Sequence, residues 1–274
     1  MKKKIRKYLT VLLLAVFLVS TAMMIRQHFD NQKAADSYSE AQRLASLSQP
    51  ISETEPAPQE TQPAETGETI WVPAPVEDDS NMESLKDTNL AALREVNEDV
   101  VGWILIPGTD VNYPVMQGDD NDHYLEYTWD GKHYAVGSIF LECMNSPGLT
   151  DFNTIVYGHN MQNGSMFACL RKYAGQDYWT EHPYVYLASD AGVYRYEVFS
   201  AYEAKVDSGT YSLNIQKEET KQAYLDMALN NSEIDTGITP AVTDRVLTLS
   251  TCSGAGYSTR WVVHARLQMI ETTV

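Results

Sequence analysis

The sequence predicts a mostly β protein whose folded part is a closed or nearly closed β-barrel. Between Gly102 and Ile270, about eight short segments rich in apolar and β-branched residues are separated by turn residues. Helical periodicity is confined to two stretches, one before the first strand and one near residue 220. No internal repeat is visible. Many short strands with few helices favour a barrel over a sheet in which strands and helices alternate.

The N-terminal segment has the pattern of a membrane anchor. Five of residues 2–7 are Lys or Arg, and the next eighteen, Tyr8 to Ile25, carry no charge. As a helix they extend about 27 Å, close to the hydrocarbon thickness of about 30 Å. Residues 1–29 are therefore predicted to be a cytoplasmic basic tail and a single-pass signal anchor, with the rest of the chain outside the cell. The alternative is a signal peptide cleaved after Ser20-Thr21-Ala22, although the apolar run continues past these residues.

The following segment, residues 30–81, is predicted to be a disordered stalk. Six of the eleven prolines fall within residues 50–75, among several glutamates. Such a composition cannot bury enough apolar surface to offset the entropy of ordering, and its like charges repel one another. Residues 31–46 are compatible with a helical continuation of the anchor. Residues 82–274 are then predicted to form one folded domain.

The elements of the folded domain follow in order along the chain. An amphipathic helix that packs on the domain is predicted over Met82–Val96, because apolar residues recur at helical spacing: Leu85, Leu90, Leu93, Val96 and Val100. A second helix is predicted over Lys217–Leu229, whose charged residues would face solvent. The predicted strands cover residues 102–106, 113–116, 137–141, 154–157, 185–187, 192–205, 245–252 and 260–270.

Composition excludes several classes of function. The formal charge of −17 argues against a nucleic-acid partner, because such proteins need a basic face. Three cysteines, none in a CxxC pair, do not indicate a disulfide scaffold or a structural zinc site, and Cys143 and Cys169 are expected to stay unpaired, with a disulfide as the alternative. Asp119, Asp120 and Asp122 lack the Gly and terminal Glu of an EF-hand loop, which favours a solvated turn over calcium. No metal and no cofactor is expected.

Cys252 ends a predicted strand beside a loop of small residues. Alternation along Val246–Cys252 places the two leucines on the core face and Cys252 on the opposite face. The loop at residues 253–259 is small and polar, so the thiol need not be sealed in. If the next segment pairs with this strand as an antiparallel hairpin, Arg260 lies opposite Cys252.

A second candidate is His159, which follows a short buried strand predicted within residues 153–161. A nucleophilic cysteine needs its thiolate form, and an imidazole can take the thiol proton and return it to a leaving amine. A guanidinium stays protonated and can hold a developing oxyanion. Cys252, His159 and Arg260 thus form a complete set for acyl transfer. The alternatives are a small core cysteine, a hydrogen-bonded barrel histidine and an arginine that covers apolar surface.

These motifs resemble those of the sortases, the cysteine transpeptidases of Gram-positive cell surfaces. The run Thr248-Leu249-Ser250-Thr251-Cys252, with Arg260 eight residues on, is similar to their TLxTC…R motif, and Tyr157-Gly158-His159 to the segment with their catalytic histidine. Residues 121–125, 137–141 and 158–167 resemble class B. The resemblance covers nearly the whole folded domain. It implies an eight-stranded sortase-type β-barrel with an N-terminal helical addition and a helix between strands 6 and 7.

The resemblance also implies a reaction. Cys252 would attack the carbonyl after Thr in an NPxTx-like sorting motif near the C-terminus of a secreted protein. His159 would protonate the departing amine, and Arg260 would stabilise the oxyanion. An amine of a lipid II-type peptidoglycan precursor would then resolve the thioacyl-enzyme at the outer face of the cell membrane, anchoring the protein to the cell wall. Carried over by motif, the residues that would line the peptide groove are Asn121, Leu125, Ser250 and Tyr211.

Two alternatives within the resemblance stay open. A pilin-polymerising sortase would use a pilin lysine in place of the wall amine. A catalytically inactive sortase-like module would only bind peptides. Ser253, directly after the candidate nucleophile, stands where some class B members carry an acidic residue, which leaves acid-assisted contacts at this position open.

Overall fold

The computed structural model describes residues 2–45, 79–254 and 258–271, in which a closed eight-stranded barrel dominates. The order around the barrel is β1-β2-β3-β4-β7-β8-β6-β5. The pairs β2/β3 and β4/β7 are parallel, whereas the other pairs are antiparallel. The predicted fold class is therefore confirmed. The strands are β1 Val100–Leu105, β2 Asn112–Met116, β3 Ile139–Leu141, β4 Asn153–Tyr157, β5 Tyr184–Ser189, β6 Gly192–Lys205, β7 Val246–Cys252 and β8 Thr259–Glu271.

The helices lie outside the barrel. Three of them precede it, one lies between β4 and β5, and the last connects β6 to β7. This last helix confirms the prediction over Lys217–Leu229, and its buried face packs against β6, β7 and β8 in a second core cluster. The helices are α1 Lys2–Leu44, α2 Ser80–Lys86, α3 Leu90–Arg94, α4 Gln176–Glu181 and α5 Glu218–Asn231.

The single helix predicted over Met82–Val96 is wrong, because the structure divides it into α2 and α3. Each of the two helices has its own N-terminal cap. Asp79 Oδ1 accepts a hydrogen bond from the Met82 N–H, and Asn89 Oδ1 accepts one from the Ala92 N–H. An asparagine side chain competes for backbone donors, so it favours a cap over a helix interior. Of the apolar residues that produced the periodicity, the three leucines and Val100 are nevertheless buried, whereas Val96 is 50% exposed.

Helix α1 has two parts with different surroundings. It contains a stretch long and apolar enough, by length and composition, to cross a membrane. Nearer its C-terminal end, a stripe at helical spacing packs into the main core cluster of the barrel. The members of this stripe on α1 are Ala34, Tyr38 and Ala41, and Ala45, directly after the helix, continues it; all four are at most 5% exposed.

For the first part of the predicted stalk, the structure agrees with the alternative of a helical continuation and adds that this helix packs on the barrel. Residues 30–44 are helical, and the stripe makes the end of α1 a part of the folded domain. Alanines contribute little apolar signal, so a stripe made mostly of alanine among polar residues resembles a solvated helix in sequence. The Pro-rich residues 46–78 of the predicted stalk lie outside the described residues.

Candidate active site

Strands β4 and β7 run parallel and bring two of the predicted residues to one edge of the barrel. Their register pairs Tyr157 with Ser250. His159 lies two residues beyond Tyr157, and Cys252 lies two residues beyond Ser250, so each continues the same face of its strand. Asn160 Nδ2 donates to the Cys252 carbonyl over 2.9 Å, which ties the segment after β4 to the end of β7.

Cys252 and His159 change each other's pKa. A hydrogen bond between their side chains lowers the pKa of the Cys252 thiol, against partial burial that raises it, and the charge of Arg260 lowers it further. The same hydrogen bond raises the pKa of His159, against burial and the charge of Arg260, with help from the Leu125 carbonyl. Both shifts favour a thiolate beside an imidazolium, the form in which a cysteine is nucleophilic.

The backbone carbonyl of Leu125 fixes the orientation of the His159 ring. Its oxygen lies 2.7 Å from Nε2. Because a carbonyl can only accept, Nε2 carries a hydrogen, and Nδ1 is the ring nitrogen left for the sulfur of Cys252. The sequence offered no signal for this contact, since every residue has a carbonyl. The Leu125 side chain, which the resemblance assigns to the groove, is 37% exposed.

Arg260 lies opposite Cys252 in the β7–β8 hairpin, in the antiparallel register that the sequence predicted. Its Nη1 donates to the Thr259 carbonyl over 2.9 Å. Its charge acts on both members of the Cys252–His159 pair, which places a guanidinium close enough to influence the sulfur. A fixed positive charge at this edge can stabilise negative charge that develops on a reacting carbonyl.

Ser250 and Tyr211, two of the predicted groove residues, contact each other beside the candidate nucleophile. The Tyr211 hydroxyl lies 3.0 Å from Ser250 Oγ. The Tyr211 ring stacks on that of Tyr157, with centroids 6.5 Å apart. These three side chains form a wall along the face of β4 and β7 that ends at Cys252. We call Tyr157, Tyr211 and Ser250 the tyrosine wall.

The fourth predicted groove residue, Asn121, is held by a buried carboxylate that the sequence did not reveal. Asn121 Nδ2 lies 2.8 Å from each oxygen of Glu142, and its Oδ1 accepts from the Cys143 N–H over 2.9 Å. The Tyr157 hydroxyl donates to the same carboxylate over 2.9 Å. Burial raises the pKa of Glu142, but the hydrogen bonds outweigh burial and leave this pKa below its usual value. Glu142 therefore links Asn121 to the tyrosine wall.

Ser253, the residue after the candidate nucleophile, is connected to a carboxylate from another strand. Its Oγ lies 2.8 Å from Thr259 Oγ1, and Thr259 Oγ1 donates to Glu203 Oε1 over 2.7 Å. Hydrogen bonds from Thr259 and Ser253 lower the pKa of Glu203. An acidic side chain is thus present near Ser253, but it is Glu203 of β6 rather than the residue directly after Cys252.

The structure also describes the remaining cysteines and the acidic turn at residues 119–122. Cys143 and Cys169 are both free, so the alternative disulfide is not formed. Asp120 Oδ1 accepts from the backbone N–H groups of Asp122 and His123, which closes the turn on itself. Within the described parts of the chain, no group of three or more His, Cys, Asp or Glu side chains is placed to hold a metal ion.

We call the edge of the barrel that carries Cys252, His159 and Arg260 the rim. The fold and this rim together define a class of protein. A thiol and an imidazole at the ends of two neighbouring parallel strands, with a guanidinium opposite the thiol, are the groups that a cysteine-dependent acyl-transfer enzyme needs. In this protein the three groups lie at one end of the barrel, beside the tyrosine wall.

Comparisons with known proteins agree with this class. The family model of the sortase domain matches residues 104–268. A sortase B of Listeria monocytogenes is 38% identical over 165 residues, which cover 60% of this chain and 66% of that protein. A sortase B of Staphylococcus aureus is 35% identical over 178 residues, which cover 64% of this chain and 73% of that protein.

Two solved structures extend the agreement to three dimensions. A Staphylococcus aureus sortase B–substrate complex has a TM-score of 0.63 at 33% identity, covering 66% of this chain and 85% of that chain. A sortase B complexed with triglycine has a TM-score of 0.62 at 33% identity, covering 66% and 86%. The chain belongs to the sortase family and is a cysteine transpeptidase of the sortase B type. The resemblance stated from the sequence is confirmed.

Proposed function

We propose that this sortase B-type transpeptidase cleaves an NPxTx-like sorting motif of secreted proteins and joins them to a peptidoglycan amine. The observation that carries the proposal is the convergence of Cys252, His159 and Arg260 at one edge of the barrel, which the pairing of β4 with β7 and of β7 with β8 produces. The relatives captured with a substrate and with triglycine support a peptide donor and an amine acceptor for this chain as well.

The proposed reaction has two acyl-transfer steps. The Cys252 thiolate attacks the carbonyl of the motif's Thr, and Arg260 stabilises the oxyanion that forms. The carbon–nitrogen bond breaks as the His159 imidazolium gives its Nδ1 proton to the leaving amine, which leaves a thioester on the sulfur. The acceptor amine then attacks the thioester and gives a proton back to His159. The sulfur departs as thiolate, and the new amide is released.

We further propose that the peptide lies along the tyrosine wall. Ser250 and Tyr211 are in that wall, Leu125 exposes its side chain beside His159, and Asn121 is joined to the wall through Glu142. An extended peptide that follows this surface would bring its Thr carbonyl to Cys252 at the strand ends. These four residues are therefore proposed to bind substrate, in agreement with their assignment by motif.

The proposed location is the outer face of the cell membrane. The apolar stretch of α1 would cross the membrane once, with the basic residues 2–7 in the cytoplasm. The barrel, which packs on the other end of α1, would then face the compartment where sorting motifs and peptidoglycan precursors meet.

The test is cleavage of a panel of NPxTx and LPxTx peptides by the full-length protein in detergent, with a glycine peptide as acceptor and mass spectrometry as the readout. We expect cleavage and transfer after Thr for NPxTx peptides, and loss of both in Cys252→Ala and in His159→Ala. Arg260→Ala should slow turnover by at least about 10²-fold, as for loss of an oxyanion donor. Unchanged turnover in Cys252→Ala would refute the proposal.

The same panel distinguishes the two alternatives. Transfer to the ε-amine of a lysine peptide in preference to glycine would indicate a pilin-polymerising enzyme. Peptide binding without a covalent adduct between Cys252 and a substrate-mimicking vinyl sulfone would indicate an inactive binding module.

A further inference from the structure

Two neighbouring segments hold the candidate acid His159 in place. The Leu125 carbonyl holds the ring through Nε2 over 2.7 Å. The His159 carbonyl accepts from the Phe167 N–H over 2.9 Å, and the residues flanking these two, Asn160 and Met166, form an isolated β-bridge. The ring and the backbone of His159 are thus supported from different sides.

The support of the ring leads to Tyr38 on α1. The Tyr38 hydroxyl donates to the Gly137 carbonyl over 2.5 Å and lies 3.2 Å from Ser138 Oγ. Gly137, at a φ of +56°, is pressed against the turn that carries Leu125, because a Cβ built on it would lie 2.6 Å from the Leu125 oxygen. The Ser138 N–H donates to the Tyr124 carbonyl over 2.8 Å, which binds the same two segments together.

The support of the backbone leads to the same tyrosine. The Tyr38 ring meets the Tyr113 ring edge-on, with centroids 5.2 Å apart. The Tyr113 hydroxyl in turn accepts from the Met166 N–H over 3.3 Å. Tyr38 therefore reaches each of the two segments that hold His159 through one intermediate residue, Gly137 on one side and Tyr113 on the other.

Tyr38 is itself firmly placed. It is 5% exposed, and burial raises the pKa of its phenol well above the usual range, so it stays a neutral donor. On either side of it, Trp129 Nε1 donates to the Ser37 carbonyl over 3.0 Å and Gln42 Nε2 donates to the Asn112 carbonyl over 3.1 Å. These bonds fix α1 on the barrel, so the Tyr38 hydroxyl has a defined position.

We propose that Tyr38 is a positioning residue for His159, through Gly137 and the Leu125 carbonyl, so that docking of the anchor helix is required for a fully active site. The proposal rests on the role given to His159 under the proposed function. Without the Tyr38 hydroxyl, the Leu125 carbonyl would be less well placed. The His159 imidazole would then spend less time in position beside the Cys252 sulfur. Peptide binding along the tyrosine wall would be unaffected, because Tyr38 does not touch that wall.

The test compares two buried phenols in the full-length protein. Tyr38→Phe keeps the ring against Tyr113 and removes only the hydroxyl. Tyr186→Phe is the matched control: Tyr186 is 2% exposed and donates to Asp79 Oδ2 over 3.0 Å, but it lies on β5, across the barrel from β4 and β7. Ser138→Ala is a second variant on the Tyr38 side, which removes one of the hydroxyl's two partners.

Two rates are measured on each variant. The first is alkylation of Cys252 by iodoacetamide across pH, followed by peptide mapping so that Cys143 and Cys169 do not contribute. The second is peptide turnover with its kcat and KM. For Tyr38→Phe we expect alkylation near pH 7 and kcat to fall by about 5-fold or more, with the alkylation midpoint moved to higher pH and KM within about 2-fold. Ser138→Ala should change the same quantities less, and Tyr186→Phe should change only thermal stability.

The outcomes separate the possibilities. Unchanged alkylation and kcat in Tyr38→Phe would overturn the proposal, and so would equal losses in Tyr38→Phe and Tyr186→Phe, which would show an effect of stability alone. Alkylation needs no sorting peptide. A shift of the alkylation curve in Tyr38→Phe, with no peptide cleaved by the parent protein, would therefore support the positioning role while refuting the proposed function.

Discussion

At the scale of single residues, the reactivity of Cys252 depends on which neighbour lowers its pKa most. The hydrogen bond from His159 is the largest cause, and the charge of Arg260 adds to it. We therefore predict that Cys252 titrates below the ordinary thiol value of 9.0, as read from the pH dependence of its alkylation. His159→Asn should raise the midpoint most and Arg260→Ala less, so both variants lose reactivity at neutral pH before they lose it at high pH. A midpoint unmoved by His159→Asn would contradict the pairing.

A second prediction at this scale concerns Glu142. The carboxylate accepts from both Asn121 and Tyr157, but an amide has one accepting oxygen and would turn its own NH₂ toward one of these donors. Glu142→Gln should therefore raise the KM for an NPxTx peptide several-fold. It should also lower the free energy of unfolding by about 1–3 kcal/mol, the cost of leaving a buried polar group poorly satisfied.

Glu83→Gln on α2 serves as the control for Glu142→Gln, since the Glu83 side chain is 59% exposed and its carboxylate pairs with Lys86 on the same helix. It should change neither quantity. A parallel rise of KM in both variants would show that loss of negative charge in general, rather than the link from Asn121 to the tyrosine wall, affects peptide binding.

The site residues that could be predicted from the sequence are those whose side chains are compatible with few chemical roles at their positions. A cysteine at a strand end, with an arginine across a short hairpin, constrains chemistry strongly, and the observed register has Cys252 opposite Arg260. The Leu125 carbonyl and the Glu142 carboxylate could not be predicted in this way. The first is a backbone group, and the second acts only because three segments far apart in the chain converge on it.

At the scale of elements, a buried polar network holds the turn Gly209–Tyr211, which carries Tyr211 into the tyrosine wall. Asn153 Nδ2 donates to the Ser212 carbonyl over 3.0 Å, and its Oδ1 accepts from Thr248 over 2.7 Å. Beyond Thr248, the network reaches a buried His264, whose pKa burial lowers to about 3, so that it stays neutral and costs no buried charge.

We predict that Asn153→Ala releases this turn. It should raise the peptide KM several-fold and lower the free energy of unfolding by about 1–3 kcal/mol, because buried partners lose their hydrogen bonds. Ser200→Ala is the matched control, since the fully buried Ser200 hydroxyl donates to the Ala228 carbonyl over 2.6 Å on the same side of the barrel but not to the turn. It should lose similar stability with KM unchanged. Equal KM values in both variants would contradict the role of the network.

The accuracy of the sequence prediction also differs from element to element for physical reasons. Strand β6 matches its predicted bounds, Gly192–Lys205, because a long β-branched and aromatic run between turn residues has no helical competitor. The prediction of one helix over Met82–Val96 was wrong because α2 and α3 both pack on the barrel. The spacing of apolar residues therefore continues across the break between the two helices. Only the Asn89 cap marks that break, and one asparagine is a weak signal.

At the scale of the whole molecule, the docked end of α1 would limit the distance between the barrel and the membrane in which the apolar stretch of α1 is proposed to lie. The sequence predicted a stalk over residues 30–81, with a helical continuation over residues 31–46 as an alternative for its start, and such a stalk would allow a long and variable reach. In the structure the helix continues without interruption from the apolar stretch to the barrel. The buried Ala34 lies only nine positions beyond Ile25, the end of the uncharged run, which corresponds to about 14 Å along a helix. The rim is thus proposed to sit at a fixed height and orientation above the bilayer.

This geometry predicts different outcomes for two kinds of acceptor. In phospholipid vesicles, a flexible Gly-Ser insert of about ten residues between Phe29 and Asp30 would leave the barrel tethered but free to tumble, which lowers the effective concentration of the rim at the membrane. Transfer to a lipid-anchored glycine peptide should therefore fall about 3-fold or more, while transfer to a soluble glycine peptide stays the same. The same insert between Gly67 and Glu68, which leaves the connection from the membrane to the barrel intact, should change neither rate. Equal loss with both acceptors, or no loss with either, would show that the height of the rim is not set by α1.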